Sequence, residues 1–77
     1  MQVTIYTKDD CPYCSKVKDL LFMLNMPYLE LKKDVDFDGF AYKDRMWPTY
    51  PCVVIDGEVI GGYQEFANWT VDQNKFG

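Results

Sequence analysis

Near Pro12 the spacing of the apolar residues changes, and that change limits the folds open to the chain. Gln2 to Thr7 reads Q-V-T-I-Y-T, rich in β-branched and aromatic residues and ending at a polar cluster, which predicts a strand. From Pro12 onward Val17, Leu20, Leu21 and Leu24 fall at i, i+3, i+4 and i+7, with Lys16, Lys18 and Asp19 off that stripe. This is the pattern of a helix, and Asn25 and Pro27 close it. Tyr28, Leu29 and Leu31 predict a second strand that fades at Lys32-Lys33. A strand, a helical crossover and another strand make a βαβ unit, which requires parallel pairing and a right-handed connection.

Beyond that unit, Asp34 to Gly39 is acidic and leads into Phe40 to Met46, read as a short helix that Asp36 or Asp38 would cap. Two prolines within Trp47-Pro48-Thr49-Tyr50-Pro51 forbid regular helix there. Cys52-Val53-Val54-Ile55 and Glu58-Val59-Ile60 flank Asp56-Gly57 and predict a β-hairpin with a tight turn, ended by Gly61-Gly62. Phe66, Trp69 and Val71 mark a last short helix, with a frayed tail beyond Asp72. The order is βα, β, α, ββ, α, without repeats or linkers. Residues 1–77 are therefore read as one α/β domain.

A chain of 77 residues buries only about 60–65% of its unfolded surface. With 48% hydrophobic and 17% aromatic residues it can still fill one core, which excludes a disordered tail. No apolar run approaches the ~20 residues of a membrane-spanning helix, and the first residues lack the basic and apolar regions of a signal peptide. The net charge of −4 disfavours a nucleic-acid partner. The expectation is a soluble, cytoplasmic, acidic monomer with no membrane or nucleic-acid partner.

There are three cysteines and no histidine. A secreted mini-protein carries an even, dispersed set, whereas here Cys11 and Cys14 lie three apart and Cys52 stands alone. Cys11-Pro12-Tyr13-Cys14 falls where the first strand meets the first helix. A thiol at a helix N-terminus meets unpaired backbone N–H groups and the positive end of the dipole, so its thiolate is stabilised. Pro12 suits a helix start, and Lys8, three residues before Cys11, further favours an anion. Cys14, one turn in, is near enough to close a disulfide and resolve an intermediate. Two structural thiols or half of a metal site is the bland alternative. Zinc, however, needs four ligands, and Cys52 without any histidine cannot complete them unless carboxylates serve. Redox chemistry is the preferred reading.

Weaker signals are weighed in the same way. Asp34, Asp36, Asp38 and Gly39 open like an EF-hand loop, but Arg45 stands where the closing glutamate belongs, so solvated, helix-capping acids are expected. Cys52, in a strand after Pro51, reads as a buried inert thiol. Trp47 and Tyr50 read either as packing or as an apolar landing surface for a protein substrate.

Lys-Asp-Asp-Cys-Pro-Tyr-Cys after a first strand resembles a glutaredoxin of the dithiol class. The likeness continues at Thr49-Tyr50-Pro51 and at Gly61-Gly62-Tyr63, followed by Gln64-Glu65-Phe66 and Trp69, and so spans nearly the whole chain in order. It implies a thioredoxin-like fold, a four-stranded mixed sheet of order 2-1-3-4 with three helices. It implies that Cys11 is the nucleophile, that Cys14 resolves, and that Pro51 is cis and faces the pair. The resemblance also implies a glutathione groove. In it the backbone of Tyr50, within the Thr49-Tyr50-Pro51 loop, pairs with the cysteinyl part. Gly61-Gly62 permits close approach, Tyr63 and Gln64 receive the γ-glutamyl carboxylate, Lys8 meets the glycyl carboxylate and Tyr13 forms an aromatic wall. Two departures stand out. Tyr50 replaces a small β-branched residue, and Gln64-Glu65 stands where the family has Thr or Ser followed by Asp.

The implied activity is glutathione-dependent reduction of protein disulfides and glutathione mixed disulfides. Glutathione is the co-substrate, no metal is required, and ribonucleotide reductase is among the plausible protein partners. Two other readings stay open: a redoxin coupled to thioredoxin reductase, and an iron–sulfur carrier in which two chains share a cluster through Cys11 and two glutathiones.

Overall fold

The computed structural model describes residues 1–39 and 47–74. Its elements are β1 (Val3–Thr7), α1 (Pro12–Met23), β2 (Leu29–Lys32), β3 (Cys52–Ile55), β4 (Glu58–Gly61) and α2 (Tyr63–Asn74). The strands form one sheet in the order β2-β1-β3-β4. β1 alternates as a strand with one buried face must, with Val3, Ile5 and Thr7 buried and Thr4 and Tyr6 partly so. It pairs in parallel with β2, placing Ile5 opposite Glu30 and Thr7 opposite Lys32. With β3 it pairs antiparallel, Ile5 opposite Val53. The mixed sheet of order 2-1-3-4 expected from the sequence is therefore present.

The hairpin owes its shape to its turn. Asp56 (φ 50°) and Gly57 (φ 83°) both take the left-handed conformation that suits a two-residue loop to the twist of the strands. Asp56 N–H donates to Gln2 O at 2.9 Å and Gln2 N–H donates to Asp56 Oδ1 at 2.7 Å, tying the turn to the head of β1. The β3–β4 register shifts between Val53 and Val54, which brings Gly61 opposite Val53.

α1 starts on Pro12 and stops at a left-handed Asn25 (φ 55°). There Asn25 N–H donates to Phe22 O at 3.1 Å and Met26 N–H to Leu21 O at 3.0 Å, the paired bonds that satisfy the last carbonyls of a helix. Val17 and Leu21 enter a core with Val3, Ile5, Val53, Ile55 and Phe66, while Leu20 and Leu24 pack against it. Each such buried side chain contributes about 1.5–3 kcal/mol relative to exposure. Phe22 and Met23 lie off the stripe and are exposed.

Three expectations change. The last helix is not short: α2 runs through Asn74, past the point where fraying was expected, and residues 75–77 lie outside the described residues. Its inward stripe is Phe66, Trp69 and Thr70, whereas Val71 is exposed because it lies five positions from Phe66, off the helical repeat. Thr70 is accommodated by donating its hydroxyl to Ala67 O at 2.7 Å. Asp36 closes a turn instead of heading a helix, since its Oδ2 accepts the Lys32 N–H at 2.8 Å and its own N–H donates to Lys32 O at 2.8 Å. The third helix, expected over residues 40–46, lies outside the described residues. Among the described residues no helix is long and apolar enough to cross a membrane.

Candidate active site

The end of β1 delivers the chain into residues 8–10 and then onto the first turn of α1. Cys11 is the N-cap of that helix, in an extended conformation (φ −125°, ψ 94°), and its sulfur accepts the Cys14 N–H at 3.2 Å. Its carbonyl accepts the N–H groups of Cys14 and Ser15 at 3.1 and 3.3 Å. Cys11 and Cys14 are joined in a disulfide with their Cα atoms 5.2 Å apart. The two sulfurs differ in access: Cys11 is half-buried, whereas Cys14 is 3% exposed. No acidic residue stands in the first turn of α1, so the dipole is not offset there. Asp9, two residues before Cys11, is paired with Lys32 Nζ at 2.6 Å, and this hydrogen bond and charge raise the Lys32 ammonium above its ordinary value.

A polar cluster joins the end of β1 to β2 and α1. Thr7, 1% exposed at the end of β1, donates its hydroxyl to Glu30 Oε2 at 2.7 Å, so its buried polar group is satisfied. Lys18, one helical turn beyond Cys14, reaches the same carboxylate at 3.2 Å. The Thr7 hydroxyl is the main cause holding the Glu30 carboxyl below its ordinary 4.5, and Lys18 assists against a desolvation that pushes the other way. A carboxyl depressed in the folded state stabilises the fold above its unfolded pKa and loses that contribution as pH falls through the folded value. Wild type is therefore expected to lose melting temperature more steeply than Glu30→Gln as pH drops below about 4.5. Melting curves at stepped pH check this, and equal slopes would remove Glu30 from the acid branch.

Tyr13, which lies between the two cysteines in the chain, helps to line a groove of about 500 Å³. Of the residues expected in a binding site, Tyr13, Thr49, Tyr50, Pro51, Gly62, Tyr63 and Gln64 all line it. They come from α1, from the loop before β3 and from the head of α2, and only the fold brings them together. The Tyr50–Pro51 bond is cis, as expected. Lys8 is exposed on the loop before Cys11 and lies outside the lining. Tyr50 also stacks on Phe37 with centroids 6.2 Å apart, and Phe37 meets Tyr6 edge-on at 5.3 Å, so Tyr50 serves packing as well as the groove. Burial is the main reason its phenol is pushed above the ordinary value, helped by Asp34 and Asp38.

The groove contains further residues that sequence reading did not assign to it. Lys16 holds its Nζ 4.9 Å from the Tyr13 ring centroid and 5.8 Å from that of Tyr63, and those rings are themselves 6.0 Å apart. Its signal was helical spacing: position 16 follows Tyr13 by three, so both lie on one face of α1. Glu65 Oε1 accepts the Gly62 N–H at 2.9 Å, and Phe66 N–H donates to Gly62 O at 2.9 Å. A cap followed three residues later by glutamate is a legible helix start, here with Gly62 as the cap.

The glycine pair makes room for the protein's own side chains. A Cβ on Gly61 (φ 128°) would lie 2.8 Å from Glu65 Cβ and 3.1 Å from Trp47 Cη2. One on Gly62 would lie 3.5 Å from Pro51 O. Cys52 is fully buried and outside the disulfide, as expected of an inert thiol. Among the described residues no cluster of three or more His, Cys, Asp or Glu is placed to hold a metal ion.

The sequence profile of the glutaredoxin family matches residues 3–60. The chain is 38% identical over 65 residues to the chloroplastic glutaredoxin-C4 of Oryza sativa, covering 78% of this chain but only 49% of that protein. It is 31% identical to glutaredoxin 1 of Escherichia coli, covering 90% of this chain and 92% of that one. In structure it is similar to a buckwheat glutaredoxin solved as a glutathione complex, with a TM-score of 0.79 and 30% identity over 92% of this chain and 69% of that one. With a strand-to-helix disulfide, a cis-proline loop that lines one groove with Tyr13 and these relatives, the chain belongs to the glutaredoxin family of thiol–disulfide oxidoreductases.

Proposed function

We propose that this protein reduces protein disulfides and glutathione mixed disulfides with glutathione as electron donor. The observation that carries the reading is the groove, in which residues 49–51 and the Gly62–Gln64 segment meet Tyr13, the residue next to Cys14 within the Cys11–Cys14 motif. The glutathione complex of the buckwheat relative supports it.

In the reduced protein, Cys11 thiolate attacks a substrate disulfide, forming a Cys11–substrate bond and expelling the other sulfur as a thiolate that takes up a proton. Cys14 loses its proton, attacks the Cys11 sulfur and expels the second substrate thiolate, leaving the Cys11–Cys14 disulfide. One glutathione thiolate then attacks Cys11 and frees Cys14. A second attacks the bound glutathione sulfur, frees Cys11 and leaves as oxidised glutathione. One disulfide and two glutathiones become two thiols and one glutathione disulfide. A glutathione mixed disulfide needs Cys11 alone. In the groove, Tyr50 offers its backbone to the cysteinyl part, Thr49 and Pro51 frame it and Tyr13 forms the wall, while Lys8 meets the glycyl carboxylate from the exposed loop before Cys11, outside the lining. Gly62, Tyr63 and Gln64 take the γ-glutamyl end. A reducing cytoplasm supplies the donor, and disulfide-bearing proteins such as ribonucleotide reductase are the substrate class.

The test is reduction of hydroxyethyl disulfide with NADPH, supplied through either glutathione and glutathione reductase or thioredoxin reductase. Turnover is expected with the first supply only. Turnover with thioredoxin reductase and none with glutathione would transfer the donor role and end the glutathione reading.

A further inference from the structure

Among the described residues the charged side chains lining the groove are two, Lys16 and Glu65, and both stand at its α2 end. Lys16 reaches that end from α1 with its ammonium over the rings of Tyr13 and of Tyr63, the first residue of α2. Glu65 stands in the first turn of α2 with its carboxylate on the Gly62 N–H. The head of a helix attracts anions, but here a resident carboxylate already offsets that attraction. A ligand carboxylate entering this end meets a partly neutralised helix terminus and, in the same lining, a cation held on two aromatic faces. A ligand ammonium meets Glu65.

We infer that Lys16 is the specificity-determining cation of the groove, pairing with the α-carboxylate of a γ-glutamyl group whose α-ammonium faces Glu65. This rests on the glutathione reading and deepens it. The recognised chemistry is an amino-acid zwitterion, bound between opposite charges contributed by two helices. A simple carboxylate would gain Lys16 but would be repelled by Glu65. Lys16 binds substrate and takes no part in sulfur exchange, so its loss acts on KM and leaves kcat in place.

The experiment compares wild type, Lys16→Met and Lys16→Arg on mixed disulfides of 2-mercaptoethanol with three thiols: glutathione, γ-glutamylcysteine and cysteinylglycine. Methionine keeps an apolar stem on the rings and removes only the charge. With glutathione and γ-glutamylcysteine, Lys16→Met is expected to raise KM about threefold to fivefold, the scale of a solvent-screened ion pair, with kcat held. Lys16→Arg should restore KM. With cysteinylglycine, which lacks the γ-glutamyl group, the variants should match wild type. Added salt should raise KM for wild type more than for Lys16→Met.

Unchanged KM in Lys16→Met, with wild type active on glutathione, would overturn this assignment alone. An equal rise on cysteinylglycine would overturn it too, because Lys16 would then act on the cysteinyl-glycyl part or only on the groove's shape. Absence of wild-type turnover with glutathione would remove the glutathione reading and this inference together.

Discussion

Cys11→Ser is expected to lower thiol–disulfide exchange by roughly 10³-fold or more, the scale of losing a nucleophile outright. Cys14→Ser is expected to keep reduction of glutathione mixed disulfides and to lose reduction of protein disulfides. The asymmetry follows from where each sulfur sits. Cys11 caps α1, is half-buried and has a backbone N–H directed at its sulfur at 3.2 Å. When the disulfide is opened, a thiolate there keeps the helix terminus as its counter-charge, and serine at neutral pH offers no comparable anion. Cys14 is almost wholly buried, so a substrate disulfide cannot reach it, while Cys11 remains within bonding distance. It therefore acts only inside an intermediate already formed on Cys11. Measuring both variants on a glutathione mixed disulfide and on a protein disulfide separates the two roles. Retained activity in Cys11→Ser, or equal loss of both reactions in Cys14→Ser, would sink this division of labour.

Phe66→Ala is expected to cost about 3–5 kcal/mol, because a fully buried ring leaves a cavity that a small core closes only in part. Small domains have about 5–15 kcal/mol in total, and a chain this short lies toward the lower end. With a urea slope of about 1 kcal/mol/M, the midpoint should fall by roughly 3 M or the protein should fail to fold. Phe66→Leu retains most of the volume and should cost less than about 1.5 kcal/mol. The ring also stacks on Trp69 with centroids 5.9 Å apart, a contact that alanine removes. Urea unfolding of the three proteins is the check, and a midpoint shift below about 1 M for Phe66→Ala would mean that the core is not organised around this ring.

The strands, α1 and the hairpin were legible because their signals are local. Alternation in residues 2–7, the Val17-Leu20-Leu21-Leu24 stripe, the left-handed Asn25 and the Asp56-Gly57 turn each depend on neighbours a few positions away. The dithiol was legible for the same reason, since a cysteine at a strand-to-helix junction meets the helix terminus whatever else the chain does. The length of α2 is not legible because its local pattern is weak. Thr70 faces inward as a satisfied polar residue, and a hydrophobic stripe cannot register it.

What the sequence by itself determined is the βαβ frame, the redox pair at its first turn and the family to which the chain belongs. The charge arrangement of the groove was decided only by tertiary structure. Lys16 is off the apolar stripe and reads as a solvated lysine, until folding brings α2 alongside α1 and sets Tyr63 beneath its ammonium. Glu65 folds back locally onto the Gly62 N–H, where a Cβ on Gly61 would have barred it, and only the docking of α2 beside α1 brings it into one groove with Lys16. The place of Lys16 is set by a contact between segments about 50 residues apart, and such a contact leaves no periodic trace in the sequence.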